Sequence, residues 1–196
     1  RKRGLTVEMT REEAYGLLKE YVEKESLIKH CVAVQAAMEE LARVLQGDEE
    51  RWGVVGILHD IDYERYPQEH AVKARELLEE KGVPEDIIRA VQSHAYGLCT
   101  DVEPLSDMEK AVYAADEMTG LVNACVLVRP SRSIMDLTVK SVKKKWKDKA
   151  FAAAINRDVI QDGADRLGMP LEELMAHTIE GMKKYADVLG LVGEAQ

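Results

Sequence analysis

Residues 49–60, EERWGVVGILHD, decide the fold class. Trp52, Val54, Val55, Ile57 and Leu58 make the stretch almost continuously apolar, so periodicity alone fits a buried helix as well as a buried strand. Length favours a helix, and nothing else in the chain looks like a strand with which this one could share hydrogen bonds. We therefore read 49–60 as a helix ending in the adjacent pair His59 and Asp60, and the chain as all-α.

The flanking sequence carries helix signals in both directions. Thr10 and Glu13 have capping-box spacing and open a helix to about residue 25; Ser26 is placed to cap a second. In that second helix Leu27, Val34, Met38, Leu41 and Leu45 recur at helical spacing until Gly47 supplies a stop. Pro67 opens a helix that Gly82 ends, and Pro84 sits in the first turn of another reaching His94. Ser106 and Glu109 form a second capping box for a long helix through about Val128, stopped before Pro130. Further helices fit about 133–150, 156–167 and 170–189. The expected organisation is one helical domain over 1–196, with a core at about 26–128 and a C-terminal helical portion at about 131–190.

Composition narrows the function classes. With 46% hydrophobic and 32% charged residues the chain is globular rather than disordered or fibrous. A formal net charge of −9 opposes binding to a nucleic acid polymer, whose phosphates it would repel. Residues 140–149, KSVKKKWKDK, depart from that balance with six lysines and one aspartate, a local net of +5. No apolar run is long enough to span a membrane, and the opening RKRGLTVEMTREEA lacks the apolar core of a secretory leader, so a cytoplasmic location is expected. Cys31, Cys99 and Cys125 form no CxxC spacing and read as small buried thiols rather than a disulfide framework.

Several polar residues fall on apolar helix faces. His30 lies on the stripe Leu27, His30, Val34, Met38; Asp116 lies among Val112, Ala115 and Thr119. His70 falls in register with Ala74 and Leu77, and His94 with Ile87 and Val91. A buried carboxylate needs a cation, a hydrogen-bond network or a metal, and convergence of these side chains on one cavity satisfies that need. His59 and Asp60, about 100° apart around a helix, could both join only at a helix end that meets the cavity. A mixed histidine and carboxylate set suits Fe, Mn, Zn or Mg. Spacing alone leaves hydrogen-bonded core histidines as the alternative, because no pair forms a short ligand motif.

The order His30, His59-Asp60, Asp116 resembles the H…HD…D signature of the HD superfamily of helical metal-dependent phosphohydrolases. The stretch GILHDIDYERYPQEHAVKARELLEEKGVPEDIIRAVQSH is similar to the part of that superfamily in which HD is followed by one histidine and, about 24 positions on, another; His70 and His94 match them. The resemblance implies an HD-type bundle holding one or two divalent ions, with His30, His59, Asp60, His70, His94 and Asp116 as ligands and Asp60 as the bridge. It also implies that His59 and Asp60 are catalytic. LHDIDYE, ADEMTGLVNACVLVRPS and KSVKKKWKDKAFA are further similar to a group of predicted HD hydrolases, a likeness that supplies no substrate. HDID in place of HDIG, and the absence of a GYP tripeptide, set the chain apart from the cyclic-dinucleotide phosphodiesterases.

The expected activity is hydrolysis of a small phosphate ester or nucleotide through metal-activated water. Two alternatives stand beside it: a di-iron oxygenase of a small polar substrate, as the resemblance to myo-inositol oxygenase implies, and a metal-stabilised module without turnover. Arg129, Lys140, Lys144 and Lys147 are the candidates for binding an anionic, phosphorylated substrate. Glu64, Glu69 and Glu117 are candidates for supporting the ligands or moving protons, and Thr119 and Asn123 for lining the pocket. His177, on the last helix, reads as a packing or surface residue.

Overall fold

The computed structural model describes residues 8–193; the reading of residues 1–7 as lacking a leader lies outside that span. The chain is all-helical: α1 (Arg11–Tyr21), α2 (Glu25–Leu45), α3 (Glu49–Leu58), α4 (Lys73–Glu80), α5 (Glu85–Ser93), α6 (Asp107–Leu127), α7 (Val139–Lys147), α8 (Arg157–Leu167), α9 (Leu171–Lys183) and α10 (Ala186–Leu189). A 3-10 turn spans Pro67–Glu69. Among the described residues there is no strand, only isolated bridges at Tyr96–Thr100 and Ser133–Val192.

Residues 49–58 are helical, as the length of the stretch predicts, and the chain turns at His59 and Asp60. Gly56 on α3 lies so close to α2 that a methyl group there would sit 2.6 Å from the Gln35 backbone nitrogen. Trp52, Val54, Val55, Ile57 and Leu58 are all buried by that packing. On the other side of α2, Gly181 of α9 approaches so closely that a methyl would lie 2.5 Å from Ala36 O. The two glycines let α2, α3 and α9 approach closely, and α6 packs against α2, α8 and α9. One buried apolar cluster runs through the elements from Ala14 to Leu191.

Both N-caps act at the expected sites, but only the second closes a reciprocal capping box. Thr10 accepts from the Glu13 N–H at the start of α1, and Ser106 and Glu109 exchange reciprocal bonds at the start of α6. Ser26 is not a cap. α2 begins two residues earlier, with Lys24 in the N-cap position, and the carboxylate of Glu64 accepts the N–H groups of Glu23 (2.9 Å) and Lys24 (2.8 Å) instead. Gln46 rather than Gly47 takes the left-handed C-cap of α2 (φ 60°). α7 is shorter than 133–150, because Thr138 caps it by accepting from Ser141 N–H and the chain leaves helix at Asp148.

Two local expectations are corrected. His70 is not helix-borne: it follows the 3-10 turn with extended ψ (136°), and Ala71 is left-handed (φ 66°). The cause is Asp62, whose Oδ2 accepts the Ala74 N–H at 2.9 Å, so that α4 starts only at Lys73. Cys31 and Cys125 are buried thiols, whereas Cys99 is exposed on the connection after α5. No described helix is long and apolar enough to cross a membrane.

Candidate metal centre

α2 carries His30 to α6, where its Nε2 lies 2.8 Å from Asp116 Oδ1. α3 ends beside them. His59 is its C-cap and keeps helical dihedrals (φ −59°, ψ −30°), after which the chain turns and Asp60 enters the same cluster. His59 Nε2 stands 3.2 Å from His30 Nε2, 3.2 Å from Asp116 Oδ1 and 3.2 Å from Asp60 Oδ2. His30 Nε2 is 3.4 Å from the same Asp60 oxygen. The other oxygen of Asp60 faces a second group: Oδ1 is 3.4 Å from His70 Nε2 and 3.4 Å from His94 Nε2, which are 3.1 Å apart. Two clusters therefore share one carboxylate, His30/His59/Asp60/Asp116 and Asp60/His70/His94.

The spacing fits a cation. Around an ion with bonds of about 2.1 Å, neighbouring ligand atoms lie about 3.0 Å apart in an octahedron and about 3.4 Å apart in a tetrahedron. The separations above, 2.8–3.4 Å in the first cluster and 3.1–3.4 Å in the second, lie close to those edges.

Hydrogen-bond donors and acceptors give the same answer. His59 Nδ1 donates to Gly56 O at 2.7 Å and His94 Nδ1 donates to Val91 O. A carbonyl can only accept, so those nitrogens carry the hydrogens and the Nε2 lone pairs of the neutral rings point into the clusters. Lone pairs facing carboxylates repel unless a cation or extra protons stand between them. His70 is aimed in the same way, its Nδ1 2.7 Å from Asp62 Oδ1, and Asp62 is fully buried. Asp62 is the partner that the sequence reading missed; its only signal was the departure HDID itself. A divalent ion fits this donor set, with the second nitrogen of three rings held by a carbonyl or carboxylate as metal-binding histidines require.

The electrostatics reflect the crowding. Burial pushes the His59 pKa down, but the Asp60 and Asp116 carboxylates more than reverse this and hold it well above the ordinary histidine value. For Asp116, burial acts upward and the His59 and His30 imidazoles outweigh it, holding the carboxyl well below its usual range. The carboxylates that favour positive charge at these rings equally favour a metal cation between them. Cys31 lies nearby, yet burial raises its thiol to about 12, which leaves it inert at neutral pH.

A cavity of about 440 Å³ opens over the clusters, lined by His30, Asp60, His70, His94, Asp116 and Glu117 among others. The three candidate glutamates part here. Glu117 faces the cavity and accepts the Asn156 N–H at 3.2 Å; Glu64 is the cap described above, and Glu69 is exposed on the 3-10 turn. The lysine segment does not reach this cavity. Buried Val142 anchors α7, which turns Lys140, Lys144 and Lys147 outward onto a separate surface groove shared with Glu172. Arg129 is tied to Asp136, 3.0 Å from its Nε, and lines a third depression with Lys144 and Lys145. His177 lies on α9, outside both clusters.

Residues 27–121 match the family described as HD domain. No curated protein and no solved structure matches the chain.

Proposed function

We propose that the chain, whose residues 27–121 match the HD domain family, is a metal-dependent phosphohydrolase acting on a small phosphate ester. The observation that carries this reading is the pair of histidine–aspartate clusters sharing Asp60 beneath an open cavity. His30, His59, Asp60 and Asp116 would hold one divalent ion, and Asp60, His70 and His94 a second. When bound, such ions polarise a phosphoryl oxygen and lower the pKa of water.

The chain's own residues do the rest. Gly56 O, Val91 O and Asp62 fix the ring orientations of His59, His94 and His70, so the site is pre-formed. Ala95, Leu98, Ile155 and Val159 on the cavity wall limit the water that reaches the reacting group. Glu117, which lines the same cavity, would pass a proton to the leaving oxygen. Helices α7–α10 belong to the same working unit, since α9 packs on α2 and α8 on α6. Free thiols at Cys31, Cys99 and Cys125 suit a reducing compartment, the cytoplasm. The net charge of −9 opposes a nucleic acid polymer or an anionic membrane surface as partner.

The test is phosphate release from a panel of phosphomonoesters, phosphodiesters and nucleotides by protein loaded separately with Mg, Mn, Zn or Fe. Release is expected with at least one metal, and Asp60→Ala lowers it by about a hundredfold or more. A loaded protein that releases phosphate from nothing in the panel overturns the proposal.

A further inference from the structure

The residues lining the metal cavity include no lysine or arginine. A site that handles phosphate esters gains from a cation beyond its metals, and the segment with most lysines lies elsewhere. A second cavity of about 190 Å³ adjoins the first, and His30 and Gly120 line both. It runs between α2 and α6 on the far side of His30. Lys29 is the only lysine or arginine among the described residues lining the two cavities.

The lining of this annex is chemically specific. Ser26 and Lys29 come from α2, Thr119 and Asn123 from α6, over a floor that includes Met182 and Leu191. Thr119 Oγ1 donates to Asp116 O at 2.8 Å, which leaves its lone pairs to accept. Lys29 Nζ meets Glu25 at 3.4 Å in a surface pair whose side chains are 44% and 82% exposed. Such a pair is weak enough for a ligand anion to displace. No Phe, Tyr or Trp lines the annex, so a nucleobase would find no broad stacking platform there. At about 190 Å³ it is too small to be a ligand site alone, against the ~300 Å³ or more usual for one, and suits part of a ligand that extends from the metal cavity.

We propose that the annex is the subsite for the non-reacting end of the substrate, and that this end is hydroxylated and terminates in a carboxylate held by Lys29. The inference rests on the phosphohydrolase reading and narrows its substrate class to phosphorylated polyol acids. A single lysine matches a monoanionic carboxylate better than a second phosphate, and Ser26, Thr119 and Asn123 supply hydrogen-bond partners for hydroxyl groups.

Two matched substrate pairs test it with the metal-loaded full chain: 6-phosphogluconate against sorbitol 6-phosphate, and 3-phosphoglycerate against glycerol 3-phosphate, with phenyl phosphate as a reference too short to reach the annex. The acid of at least one pair is preferred by about tenfold in kcat/KM. Lys29→Ala lowers that acid's kcat/KM relative to phenyl phosphate by about tenfold, through KM, and Lys29→Arg restores most of it. A change equal for both substrates, or no preference for either acid, overturns the subsite.

A second readout is independent of turnover. The methyl ¹³C resonance of Met182, on the annex floor, shifts on titration with the two acids in wild type and not in Lys29→Ala. If no ester is hydrolysed but Met182 responds, the hydrolase reading fails and the annex stands as an acid-binding site. If hydrolysis is intact and Met182 is unmoved, the annex fails alone.

Discussion

Asp60 and Asp62 stand two positions apart and do different work. Asp60 presents one oxygen to each cluster, while Asp62 faces the centre of neither and instead holds His70 Nδ1 from behind with one oxygen and the start of α4 with the other. Removing Asp62 therefore frees the ring of one cluster and leaves the other intact. Asp62→Ala is expected to weaken metal binding at Asp60/His70/His94 by about 10- to 100-fold while sparing the His30/His59/Asp116 side. Isothermal titration of the metal-free protein checks this: one of two binding phases should weaken, and equal weakening of both contradicts the assignment. The inward positions of His30, Asp116 and His94 were legible because each sits in register with apolar neighbours on a regular helix. His70 was legible as a residue but not as a conformation, since Asp62 ties both His70 Nδ1 and the Ala74 N–H, contacts that helical periodicity does not encode.

At the level of elements, helix existence was readable and helix edges were not. The stretch 49–60 could be assigned because a strand there has no partner, and Ser106 capped α6 because its bond is local to four residues. The start of α2 depends on Glu64, about forty positions away in sequence, so no local signal at Ser26 could reveal it. Long-range polar contacts also join α2 to the end of α9. Arg43 holds the buried Glu40 carboxyl down, burial opposes it, and Lys184 adds a bond at 2.8 Å; together they bring the pKa from 4.5 to about 2. A folded-state pKa below the unfolded value stabilises the fold above about pH 4.5, and that contribution is lost as pH falls towards about 2. Discounted for the exposed Arg43 and Lys184, it is worth about 1–2 kcal/mol. Denaturant unfolding should therefore show a stability gap between wild type and Glu40→Gln at pH 6 that closes as pH approaches 2; a gap constant with pH contradicts the pairing.

Across the whole molecule, the clusters draw on α2, the end of α3, the 60–70 segment, the end of α5 and α6, so an ion there staples remote parts of the chain. Metal should then be a stability term: at a hundredfold excess over Kd it contributes about 2.7 kcal/mol, or roughly 5–10 °C in Tm for a chain of this size. Thermal unfolding with and without chelator measures it, and Asp60→Ala should abolish the difference; an unchanged wild-type Tm on chelation contradicts the staple. The position of the lysine segment is also a whole-molecule property. Its charge was plain in the sequence, but which groove it lines depends on how buried Val142 seats α7, a packing relation that one sequence does not reveal.

The central claim is that one carboxylate joins two metal positions. Anomalous diffraction from crystals of the manganese- or iron-loaded protein tests it most directly. The predicted result is two ions, one within about 2.0–2.3 Å of His30 Nε2, His59 Nε2, Asp116 and Asp60 Oδ2, the other at the same range from His70 Nε2, His94 Nε2 and Asp60 Oδ1. Ions bound only by residues outside these clusters, or no ion in crystals grown with saturating metal, would contradict it.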